Sequence, residues 1–205
     1  MFCRVEEIRP SGRCASRMPT NPKSILALEA TEAVIARDGF ANFTIDAVAT
    51  QAGLSKGGVL HHFGSKDALI RALVLRGAEQ WKANCAEALE LASEGPARFA
   101  RGILEFYLSD KKSWSNERKS VACAYLAALS LDPELIEPIK AVSCNVHEQF
   151  LDNDIPVGLG LVIISALDGL WMSWALGLNE YNEERNRLLL QTLRLMVEDA
   201  ISDKK

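Results

Sequence analysis

The chain has 205 residues, 48% of them apolar and only 7 of them proline, which excludes a disordered protein and leaves length enough to bury a sizeable core. Its formal net charge of −4 excludes a generally basic nucleic-acid binder, yet the charge is uneven. Residues 1–66 hold 8 Lys/Arg against 6 Asp/Glu, a net of +2, whereas residues 67–205 hold 15 against 21, a net of −6.

Residues 1–21 place Arg4, Arg9, Arg13 and Arg17 among prolines and a glycine, the composition of a flexible arm. Arginines on such an arm can reach a minor groove or a phosphate strand, and a leader without function reads equally well. The opening residues have no apolar core for a secretory signal. A first helix is expected from about Pro22 to Arg37, with Ile25, Leu28, Ala33, Val34 and Ile35 mostly inward. Gly39 stops it, and Phe40 and Phe43 turn back onto the core.

The stretch from Thr44 to Lys66 leaves the least freedom. Thr44 is a helix N-cap, and Ile45, Val48, Ala49 and Ala52 recur on one face of a two-turn helix. Gly53 fits the left-handed stop, with Leu54 as its apolar contact. Ser55 caps a second short helix, Lys56 to about Phe63, with Val59, Leu60 and Phe63 inward and Lys56, Gly57, Gly58, His61 and His62 outward. Small Ala49, permissive Gly53 and Val59 between the helices suit the close crossing of a helix-turn-helix, whose second helix can enter a DNA major groove. An ordinary alpha-hairpin is the plainer alternative. Ser65 then caps a longer helix that begins Lys66-Asp67-Ala68-Leu69 and runs to about Ala92.

From about Ile25 to Leu73, through the turn at Gly53, Ser55 and the run LHHFGSKDAL, the chain resembles the TetR family of one-component bacterial transcriptional repressors. The resemblance implies an all-α fold: an N-terminal three-helix helix-turn-helix DNA-binding module (22–66), behind the arm (1–21), and a helical effector-binding and dimerisation domain (67–205). It implies phosphate contacts from Thr44 and Lys66, supported by the anion preference of helix N-termini. Lys56, Gly57 and Gly58 would lie nearest the bases, His61 and His62 at a phosphate or groove wall, and Ser55 is counted with them among the DNA-binding residues. His61 departs from the tyrosine common in the family.

Further helices are expected over about 97–109, 116–131, 133–152, 156–177 and 181–202, with Pro138 as a possible kink. The longest apolar run, 155–178, is broken by Pro156, Asp168 and glycines, so a membrane partner is not expected. The segment 157–178 is apolar nearly all round, and Leu188, Leu189, Leu195, Met196 and Ile201 stripe the next helix. Two such helices suit a homodimer, as the family forms, reading a palindromic operator in double-stranded DNA. The resemblance also implies a small-molecule effector, for which Trp114, Cys123, Tyr125, His147, Asp168, Trp171 and Trp174 are candidate pocket residues. Asp168 stands out, because a buried carboxylate needs a partner: a ligand cation, a protein donor or a helix end.

Five cysteines, an odd number without framework spacing, point to reduced thiols in a cytoplasmic protein. Cys144 and His147 stand one turn apart, so a metal or redox sensor is a minor alternative, though nothing nearby completes a ligand set. No catalytic constellation, enzyme activity or cofactor is expected. A non-switching or activating regulator, or a helical dimer with a vestigial DNA module, are the other readings.

Overall fold

The computed structural model describes residues 21–109, 122, 128, 133–151, 154–178 and 182–203, and among these there are only helices, turns and bends, with no strand. Helix α1 (Pro22–Asp38) starts on Asn21, whose side chain accepts from the Lys23 amide, with Pro22 in the first turn where no N–H is needed. It buries Ala27, Leu28, Thr31, Val34 and Ile35. The Thr31 hydroxyl enters the core at little cost because it donates to the Ala27 carbonyl. Ile25 and Ala33, expected inward, are exposed. The faces that α2 and α4 cover run through 27, 28, 31, 34 and 35, and Ile25 and Ala33 fall outside that arc.

Helices α2 (Ile45–Ala52) and α3 (Lys56–Phe63) follow a short 3-10 turn at Phe40–Asn42. Helix α4 (Lys66–Leu91) is 26 residues, about 39 Å long at 1.5 Å per residue. Its length lets it serve two cores. Leu69, Ile70, Leu73 and Val74 join Leu28, Val34, Phe43, Val48 and Val59 in the first, while Ala78, Cys85 and Ala88 join the second. The first core therefore extends along α4 beyond Lys66, and the chain passes from one core to the other without a break in the helix.

Beyond α4 come α5 (Arg98–Ser109), α6 (Glu137–Leu151), α7 (Val157–Leu176) and α8 (Glu183–Ser202). The last carbonyls of α4, which have no intrahelical donors, are met by Arg98, which donates to Leu89 and Ala92, while Arg101 donates to Ser93 and Pro96 in the loop that follows. Helices α4 and α5 cross closely at Gly102, where an added Cβ would overlap the Ala88 carbonyl. The helix expected from Pro133 is a 3-10 turn over Pro133–Ile136 before α6 begins. Pro138 explains this: lacking an N–H it cannot bond back to residue 134, and in the first turn of α6 it needs no such bond, so no kink results. Of the helix expected over 116–131, only Ala122 and Ala128 are described, and both are helical; the rest lies outside the described residues.

Candidate nucleic-acid interface

Each end of α2 and α3 is closed by a local bond. The Thr44 hydroxyl oxygen accepts from the Ala47 amide at 3.1 Å, that of Ser55 from Gly58 at 3.0 Å, and that of Ser65, before α4, from Ala68 at 3.1 Å. Gly53 adopts φ 64°, ψ 29°, and the Leu54 amide reaches back to the Ala49 carbonyl at 2.9 Å, so the turn between the helices is a Schellman stop. Ala49 and Val59 are buried at the crossing.

The outer side of this unit carries Thr44, Ser55, Lys56, Gly57, His61 and Lys66, all exposed, with Gly58 and His62 half-buried. Nothing lies within 4 Å of a Cβ built on Gly57, so the protein itself does not require glycine there. At Gly58 the same atom would meet the capping Ser55 Oγ at 3.2 Å. The rings of His61 and His62 stand edge to face, with centroids 5.5 Å apart. Lys56 and Lys66 are held differently. Lys66 Nζ donates to the Phe43 carbonyl at 2.9 Å and sits 4.2 Å from the centre of the Phe43 ring, which ties the start of α4 to the residue before Thr44. Two of its three N–H bonds remain for another acceptor. Lys56 Nζ lies 2.8 Å from the Asp46 carboxylate across the helix pair. Neither partner was singled out from the sequence. Ten positions across a turn have no set geometry, and a backbone carbonyl leaves no mark in the residue types.

Of the candidate pocket residues, His147 and Asp168 come together, with Nε2 3.4 Å from the carboxylate and α6 thereby joined to α7. Asp168, expected buried, is 61% exposed at its side chain in the single chain, because α7 turns that side away from both cores. Trp174 is buried with Ala122 and Ala175, and Trp171 packs on them half-buried. Trp114, Cys123 and Tyr125 lie outside the described residues. Cys144 and His147 share α6, and among the described residues no group of three His, Cys, Asp or Glu side chains is placed to hold a metal.

Comparison with known proteins decides what this arrangement is. Residues 27–73 match the family described as bacterial regulatory proteins, tetR family, and residues 97–198 match the tetracyclin repressor-like C-terminal domain. The chain belongs to the TetR family. It is 26% identical over 167 residues to the HTH-type transcriptional regulator BetI of Stenotrophomonas maltophilia (strain R551-3), covering 78% of this chain and 85% of that one. A transcriptional regulator from Rhodococcus sp. Rha1 has the same fold, with a TM-score of 0.65 at 22% identity over 85% of this chain and 95% of that one. The multidrug binding protein EbrR, solved with ethidium, superposes with a TM-score of 0.57 at 22% identity over 83% of this chain and 98% of the other. Members of the TetR family are DNA-binding transcription factors and not enzymes, and this protein is a DNA-binding transcriptional regulator of that family.

Proposed function

We propose that this TetR-family protein is a repressor that holds a palindromic operator as a homodimer and leaves it when a small molecule binds. The observation that carries the reading is the outer face of α7 and α8. There Leu161, Val162, Met172 and Leu176 of α7 and Leu188 and Leu195 of α8 are between 39% and 54% exposed. Large apolar side chains exposed along two neighbouring helices call for a partner, and a second copy supplies an identical set: two pairs of helices close into a four-helix contact. Helix α7 also has the length and apolarity of a membrane-crossing helix. Its exposed Asp168 and its burial of Ile163 and Ile164 in the second core favour a protein partner over lipid.

The two-fold axis presents two copies of α3, and a palindrome read in successive major grooves needs them about 34–36 Å apart. In this arrangement residues 22–66 bind DNA and residues 67–205 pair and bind effector; the arm expected over 1–21 lies, but for Asn21, outside the described residues. Thr44, Ser55 and Lys66 hold phosphates at the starts of α2, α3 and α4, where the helix dipoles already favour anions. Lys56, Gly57 and Gly58 approach the bases, and His61 and His62 the groove wall. Because α4 contributes to both cores, a change of shape around the second moves the first and alters the spacing. The effector must discriminate between the two shapes by a few kcal/mol to release the operator. EbrR binds ethidium, and residues 67–205 of this chain carry a net charge of −6, so organic cations are the first class to screen. The protein works in the cytoplasm, where its DNA is.

Selection of bound duplexes from a random pool, at stated salt, tests the reading. Enrichment of a palindrome supports it and supplies the probe for effector screening by operator release. Folded protein that enriches nothing above background, or only single half-sites, overturns it.

A further inference from the structure

We infer that Asp46 is a specificity-determining residue, which acts by holding the Lys56 ammonium away from the DNA backbone and pointed toward the base edges. Lys56 is the first residue of α3, and the first residues of a recognition helix are those that meet bases. It is also the only long basic side chain on that helix. A lysine there has two competing uses. Its flexible stem and compact charge suit any nearby phosphate, which contributes affinity without sequence information, and they suit the O6/N7 edge of guanine, which contributes specificity.

The structure tips this competition. Asp46, the second residue of α2, places its carboxylate 2.8 Å from Lys56 Nζ, and both side chains are largely exposed, at 66% and 58%. The pair contributes little to folding in such surroundings, because water screens it and ordering two side chains costs entropy. Its positions nevertheless suit it. The carboxylate sits at the favourable, positive end of α2, whereas Lys56 sits at the unfavourable end of α3 and gains from a nearby anion. On DNA, the same carboxylate repels phosphates close to Lys56 and leaves the ammonium free to donate its remaining N–H bonds to a neutral acceptor on a base. Without it, Lys56 becomes one more phosphate contact.

The inference takes DNA binding through α3 from the proposed function, and its test separates the two. The intact protein, Asp46→Asn, Lys56→Gln and the double variant are each put through selection from a random duplex pool. Each is also titrated with one fixed duplex of random sequence over a range of salt. Asp46→Asn is expected to bind the fixed duplex several-fold more tightly, with a salt slope steeper by about 0.9, the signature of one added phosphate contact. In the selection it is expected to relax one base position in each half-site about tenfold. In the Lys56→Gln background, Asp46→Asn should still tighten the fixed duplex by relieving repulsion, but it should neither relax the base position nor steepen the salt slope by a full contact, because those two effects act through the lysine. Equal slopes for the intact protein and Asp46→Asn, or a full effect of Asp46→Asn in the Lys56→Gln background, would overturn the inference. If the intact protein enriches no palindrome, the operator reading fails while the slopes still decide the role of Asp46. Failure of the intact protein to bind any duplex overturns both.

Discussion

Gly57 shows most directly how a single position can be set by something other than the fold. Glycine early in a helix costs roughly 0.5–1 kcal/mol relative to alanine, and here a Cβ would meet open space. Gly57→Ala is expected to raise the urea midpoint by about that free energy and to weaken operator binding, since the added methyl group stands where the proposed groove approaches the backbone. Equal or tighter operator binding would remove α3 from the groove. Cys85 represents the opposite case. It is enclosed in the second core between α4 and α5, and burial pushes its thiol up to about 11, so the reactive thiolate is scarce at neutral pH. Alkylation of the folded protein by iodoacetamide, followed by mass spectrometry, should leave Cys85 unmodified until denaturant is added.

Between elements, a close crossing and a partly buried charged tie both bear on stability. Where α4 and α5 meet at Gly102 the carbonyl of Ala88 occupies the place of a side chain, so Gly102→Ala is expected to destabilise the fold by about 1–3 kcal/mol, measured by urea denaturation. The tie is between α1 and α4, where Arg76 lies 3.7 Å from both Glu29 and Glu32. Burial holds the Glu32 carboxyl above its ordinary range; Arg76 opposes that shift and Glu29 adds to it. A carboxyl with a raised folded value binds its proton more tightly folded than unfolded, so its contribution to stability falls as pH rises from the ordinary glutamate range through the raised one. Glu32→Gln should therefore lose less stability than the intact protein between mildly acidic and neutral buffer, read from denaturation midpoints in both. An unchanged pH dependence would show that Arg76 neutralises Glu32 fully.

At the scale of the whole molecule, two cores share one long helix, and large apolar side chains of α7 and α8 are left exposed. This combination suits the proposed regulator built from two copies, in which pairing would set the distance between recognition helices and α4 would carry changes of shape to them. Leu161 and Leu195 are each about half exposed in the single chain, so a charge at either is tolerated by the monomer and opposed by the pair. The double variant L161E/L195E is expected to keep its helix content, to sediment as a monomer and to lose operator binding by far more than any single contact accounts for. A dimer that survives both substitutions would move the interface away from this face.

What the sequence by itself determined was local. Thr44, Ser55 and Ser65 cap helices through bonds to amides three residues on, and Gly53 turns the chain because a left-handed residue costs glycine little. These interactions depend only on neighbours along the chain, so α2 and α3 were legible almost to the residue, and the run through Lys66 was enough to place the family. Only the tertiary structure decided which side of an element faces what. Ile25 and Ala33 are apolar and helical but lie outside the arc that α2 and α4 cover, and Asp168 is exposed because α7 turns it away from both cores. The same holds for the two lysines: the ammonium of Lys56 meets Asp46 and that of Lys66 meets the Phe43 carbonyl. Such contacts arise from the packing of whole helices against one another, and a long flexible side chain finds its partner only after that packing is set.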